Sequence, residues 1–158
     1  MLAVASNGGI EVLVAAMRGH TPNYENRSND CGALSPVSAK HEYRDHIAAH
    51  GGIEVTVAVL RGHVQDAVIQ GNGCVALASL STMRENQGHV LAKGGIEVPV
   101  AAMHGHPQDV QTQRKGGGAL SNLSTRLAGQ DHLATNGGSE LLVAAMRGHS
   151  PNCWWRTM

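Results

Sequence analysis

The chain has no phenylalanine, and its aromatic residues are confined to Tyr24, Tyr43, Trp154 and Trp155. An interior organised around aromatic rings is thereby excluded, and any core must be built from Ala, Val, Leu, Ile and Met. A charge excess is also missing: Lys plus Arg is 12, Asp plus Glu is 12, and the formal net charge is zero. Nucleic acid is therefore not the expected partner, because phosphate binding shows as a basic excess or stripe. Cysteine is scarce. Cys31, Cys74 and Cys153 form an odd set without disulfide-framework spacing, as expected in a reducing compartment. No stretch approaches the roughly 20 apolar residues that span a bilayer. Residues 1–10 hold neither a basic start nor a long apolar run, so no secretory signal is read there. The expected setting is intracellular, cytoplasmic or nuclear, with no membrane partner.

What the chain does have is glycine, 20 residues of it, and the glycines recur in step. Gly8-Gly9-Ile10 returns as Gly51-Gly52-Ile53, as Gly94-Gly95-Ile96 and, altered, as Gly137-Gly138-Ser139. Each step is 43 residues. Arg18-Gly19-His20 returns with the same period as Arg61-Gly62-His63, His104-Gly105-His106 and Arg147-Gly148-His149. Ala33-Leu34, Ala76-Leu77 and Ala119-Leu120 keep it too, as do His46, His89 and His132. A fixed period of this size marks a repeat architecture.

Each period reads as three helices. In the third unit a short helix over 86–93 ends at Gly94-Gly95, where glycine permits the left-handed residue that closes a helix. A second helix is expected over 96–104. Its counterpart in the first unit carries Ile10, Leu13, Val14 and Met17 at i, i+3, i+4 and i+7, one face of an α-helix. Glu11 and Arg18 complement the dipole at its two ends. Pro99 lies near the first turn of the third unit's second helix, where proline is tolerated. A third, longer helix is expected over 110–125, with Ala119, Leu120 and Leu123 facing a core. No sustained alternation argues for strands.

The phase of the repeat divides the chain. Residues 1–149 form the array: a partial unit 1–39, full units 43–82 and 86–125, and a partial unit 129–149. Residues 150–158 are expected to be a truncated or disordered tail, in which Ser150-Pro151-Asn152 repeats Thr21-Pro22-Asn23. Neither end resembles the polar cap that usually closes a stack of repeats. A fragment of a longer array, or a truncated gene product, is the expectation, with self-association through the uncapped ends.

These residues resemble the armadillo repeat. Residues 86–96 look like that family's first helix and glycine turn, and Ala119-Leu120-Ser121-Asn122-Leu123-Ser124 looks like the core of its third helix. The resemblance covers nearly the whole chain. It implies an all-α fold, a right-handed α-solenoid of three-helix units, and a scaffold or adaptor that binds extended peptides on the concave face lined by third helices. In members that bind basic nuclear-localisation peptides, a Trp stands four residues before an Asn on successive third helices. The Trp position here holds Gly32, Val75 and Gly118, and the Asn position holds Pro36, Ser79 and Asn122. Only Asn122 is kept, so basic peptides are not the expected ligand.

From the resemblance and helical spacing, the expected partner-binding row is Arg114, Gly118, Asn122 and Arg126 in the third unit. In the second it is Gly71, Val75, Ser79 and Met83. Arg114 and Arg126 could meet acidic groups, and Asn122 could bond a backbone amide.

Ten histidines invite a metal reading. Equivalent residues of stacked helices stand on the order of 10 Å apart, however, and zinc takes ligands at about 2.0–2.3 Å. The histidine ladders are therefore expected to cap carbonyls and fill helix ends, with no metal and no cofactor. Cys31 and Cys74 are expected as small core residues. Gly71-Asn72-Gly73-Cys74-Val75-Ala76 fits a dinucleotide pattern that has meaning only between a strand and a helix. Gly116-Gly117-Gly118 lacks the Lys-Ser/Thr of a phosphate loop. No nucleophile is tied to a base and an orienting acid, so no enzyme is expected. The sequons at Asn26 and Asn122 and the pair Trp154-Trp155 carry no expected role. The expected function is a protein-interaction scaffold, with a structural spacer in a larger repeat protein as the alternative.

Overall fold

A computed structural model of the chain describes residues 8–19, 24–125 and 127–148. The described residues are all-helical, with no strand. In chain order the helices are α1 (Gly9–Gly19), α2 (Tyr24–Ser38), α3 (His41–Ala49), α4 (Gly52–Gly62), α5 (Ala67–Leu80), α6 (Arg84–Ala92), α7 (Glu97–Gly105), α8 (Val110–Leu123), α9 (Leu127–Thr135) and α10 (Gly138–Gly148). The 43-residue period is preserved in the elements: a short helix, a second helix after the double glycine, then a longer one. The tail 150–158, with Trp154 and Trp155, lies outside the described residues, as do His20 and His149.

The double glycine works through two different demands. Gly94 has φ +96, in the left-handed region that favours glycine, and equivalent Gly8, Gly51 and Gly137 share that sign. Gly95 is needed for space, since a Cβ there would collide with the Val90 side chain and backbone. Gly52 and Gly138 stand in the same way against Ile47 and Leu133. The second helix can therefore start directly against the first.

The long helices α5 and α8 begin on an aspartate. Asp66 Oδ1 accepts from the Ile69 backbone N–H at 2.9 Å, and Asp109 Oδ1 from that of Thr112 at 2.6 Å. Each satisfies a donor that helix geometry leaves unpaired.

One continuous core runs from Ile10 to Leu133. It is built from repeat-equivalent rows: Ile10, Ile53 and Ile96; Met17, Leu60 and Met103; Leu34, Leu77 and Leu120; Ile47, Val90 and Leu133. Each row puts aliphatic side chains of successive units side by side, which an aromatic-poor composition can fill without large gaps. The long helices α2, α5 and α8 pack in series, α5 between the other two. Helix-interior glycines permit this closeness. A Cβ on Gly73 would stand 2.5 Å from Leu60 Cδ2, and one on Gly116 would stand 2.6 Å from Met103 Cγ.

Successive units are also joined by polar contacts that repeat. Glu54 Oε1 meets His89 Nε2 at 2.6 Å and Lys93 Nζ at 3.3 Å. Glu11 meets His50 at 3.3 Å, and Glu97 meets His132 at 3.8 Å. Arg18 Nη2 donates to the His50 carbonyl at 2.8 Å and lies over Gly51. Arg61 occupies the same place over Gly94. In the next joint the arginine is replaced by His104, and nothing lies within 4 Å of a Cβ on Gly137.

The carbonyl contact expected of the histidines is seen at His106, while other helix-end carbonyls have other donors. Carbonyls at the ends of the second helices are met by glutamines of the long helices. Gln70 Nε2 donates to Leu60 O at 2.7 Å and His63 O at 2.9 Å. Gln113 Nε2 donates to Met103 O at 2.7 Å and His106 O at 3.0 Å. Both glutamines are buried, and a planar amide with two N–H groups suits a pair of converging carbonyls. Three histidines act between units: His89 and His132 on a glutamate of the preceding unit, and His106 on the Val64 carbonyl at 2.9 Å.

Candidate functional site

A groove of about 590 Å³ opens between α5 and α8. Val75, Ala78 and Ser79 line it from α5, and Arg114, Lys115, Gly118, Ala119, Ser121 and Asn122 from α8. Thr82, just past α5, and Arg44 of α3 complete it. Helical spacing explains the grouping. Arg114, Gly118 and Asn122 recur every four residues and share one face, as do Val75 and Ser79. Gly118 and Ala119 keep that face low where α8 borders the hollow.

Five of the eight expected residues therefore meet in one groove: Val75, Ser79, Arg114, Gly118 and Asn122. Gly71 does not. It is buried, and a Cβ there would stand 3.0 Å from Lys115 Cδ. Met83 does not either, because α5 ends at Leu80 and Met83 is the N-cap residue of α6. The expected helix over 110–125 likewise ends at Leu123. Arg126 lies outside the described residues.

Two cationic residues in the groove were not anticipated. Arg44 donates through Nε to the Ser38 carbonyl at 2.9 Å, through Nη2 to the Ala39 carbonyl at 2.8 Å, and through Nη1 to Thr82 Oγ1 at 2.6 Å. It closes the C-terminal end of α2 and fastens it to the end of α5, where a cation also suits the helix dipole. Its equivalent Gln87 reaches Thr125 Oγ1 at 2.9 Å and the Asn122 carbonyl at 3.3 Å, so the position serves the end of a long helix in both units. The signal was available in the period, since 44 and 87 differ by 43, but it sits on a short helix. Lys115 Nζ donates to Asn72 Oδ1 at 3.0 Å, across one period. Arg114 Nη2 donates to Gln111 Oε1 at 2.9 Å and stays exposed.

A second hollow of about 310 Å³ adjoins the first. Ser81, Thr82, Arg84, Gln87, Asn122 and Thr125 line it, and Thr82 and Asn122 belong to both.

The groove holds no reactive pair. Cys74, behind it, is fully buried, and that burial pushes its thiol up to about 12 while Lys115 works weakly the other way. A thiol so raised is neither nucleophile nor metal ligand at neutral pH. Among the described residues no three His, Cys, Asp or Glu side chains gather as a metal ion would require. No helix among them is long and apolar enough to cross a membrane.

Compared with family models, curated proteins and solved structures, the chain matches none of them.

Proposed function

We propose that the chain is a segment of a right-handed α-solenoid of armadillo-type units, and that it acts as a non-enzymatic protein-interaction scaffold. A peptide or partner protein would lie along the concave face of its third helices, α2, α5 and α8. The observation that carries the reading is the groove between α5 and α8: five of the eight residues chosen from the armadillo resemblance and helical spacing line one hollow there. The repeated order of three helices per 43 residues supports the architecture. Small side chains beside Asn122, Ser79 and Ser121 would let an extended backbone approach donors and acceptors. An intracellular setting goes with this reading. So does self-association through the end units: Val12 is 67% exposed and Val143 46%, whereas their equivalents Val55 and Val100 are buried.

The test uses the whole chain and a displayed library of short random peptides. A photoreactive side chain in place of Asn122 is compared with one in place of Ala58, which is exposed on α4. Selected peptides should cross-link from position 122 and not from 58. Failure to select any saturable peptide would favour the spacer, and equal cross-linking from both positions would sink the groove.

A further inference from the structure

The charge of the groove narrows its ligand. Arg44, Arg114 and Lys115 line the larger hollow and Arg84 the adjoining one, and no Asp or Glu lines either. This occurs in a chain whose formal net charge is zero. Three of the acids are engaged elsewhere. Glu11, Glu54 and Glu97 lie on the second helices, where histidines and Lys93 of the following unit meet them. The groove cations hydrogen-bond to neutral groups: main-chain carbonyls and Thr82 for Arg44, Gln111 for Arg114, Asn72 for Lys115. Lys115 also acts at longer range on the Asp109 carboxylate at the start of α8, which does not line the groove.

Resting on the peptide-binding reading above, we propose that the groove takes an acidic polypeptide segment in extended form. Its carboxylates would meet Arg44, Arg114 and Lys115, while apolar side chains rest on Val75, Ala78 and Ala119. The cations are already held in place by neutral partners, so little side-chain freedom remains to be lost on binding. Arg44 and Lys115 are half-buried, which screens them less than the exposed Arg114. The apolar floor and the absence of aromatic side chains in the lining favour a peptide over a nucleic acid strand, whose bases stack on aromatic rings.

The experiment measures fluorescence anisotropy of the full chain with four probes. Three are short peptides that alternate valine with Glu, Gln or Lys, and the fourth is an oligothymidylate. The Glu peptide should bind about tenfold or more tighter than the Gln peptide, more weakly as salt rises, and the Lys peptide should not bind. Arg114→Glu, an exposed change, should weaken the Glu peptide by about tenfold. Arg147→Glu, exposed on α10 and outside the groove lining, should leave it unchanged, with melting curves checking that both variants fold. Equal binding of Glu and Gln peptides, both cross-linking from position 122, would overturn the acidic ligand and leave the groove standing. Binding without cross-linking from 122 would overturn the groove itself. An oligothymidylate that displaces the Glu peptide from 122 would replace the acidic segment with a phosphate chain.

Discussion

Gln70 and Gln113 each lay a side-chain amide across the last turn of the helix that precedes their own. Each donates to a buried carbonyl, Leu60 O or Met103 O, and to a part-buried one, His63 O or His106 O, which also accepts from the Asp66 or Asp109 backbone N–H. Gln113→Leu keeps the volume and removes both donors. It should lower unfolding free energy by about 1–3 kcal/mol, read from the urea midpoint. Glu54 gives a second prediction at this scale. Partial burial works to raise its pKa, but hydrogen bonds from His89, its own backbone and Lys93 outweigh burial and hold the carboxyl below its ordinary value. A depressed folded pKa means the contribution to stability is present above the ordinary carboxylate range. It is lost as pH falls through the lowered folded value. Stability should therefore drop on acidification, and the drop should be shallower in Glu54→Gln, as measured by denaturant midpoints across acid pH. The pair is half-exposed, so added salt should shrink the difference.

At the scale of elements, the double-glycine turn and the arginine from the previous unit form one device. Gly94→Ala places an L-residue at φ +96 and forces Arg61 aside. The backbone alone should cost about 1–2 kcal/mol. Gly137→Ala carries only that backbone cost, because nothing lies within 4 Å of the added carbon. Melting of the two variants should rank Gly94→Ala as the more damaging, and equal losses would show that Arg61 moves freely. The three-helix unit was legible in the sequence because glycine, helical spacing and acidic starts are local signals. Helix ends were legible only to within a few residues. The row containing Met83 ran on because periodicity does not stop where a helix does, and Met83 instead begins α6.

At the scale of the whole molecule, the core is one row of aliphatic side chains after another, each unit touching its neighbours. Long helices carry interior glycines, at Gly73 and at Gly116 to Gly118, and α2 contains Pro36. Glycine costs a helix about 1 kcal/mol relative to alanine, and an interior proline about 3 kcal/mol. Close packing of Leu60 on Gly73 and Met103 on Gly116 recovers part of this. The chain should unfold at or below about 65 °C, the upper end for ordinary domains. Circular dichroism on heating measures it, and a transition well above that temperature would contradict the marginal balance.

The sequence by itself determined the 43-residue period, the helical class and the order of short, second and long helices. The period shows in residues that recur, and the class and order of helices depend on residues a few positions apart. Of the eight residues chosen from the armadillo resemblance and helical spacing, Val75, Ser79, Arg114, Gly118 and Asn122 line one groove. Only the tertiary structure decided what crosses a joint. Arg44 in the groove, Arg18 over Gly51, His89 on Glu54 and Lys115 on Asn72 all join residues more than 30 positions apart. Such contacts depend on how far one unit is shifted and turned against the next. No local pattern encodes that shift. It is set by how the aliphatic rows of neighbouring units close against each other.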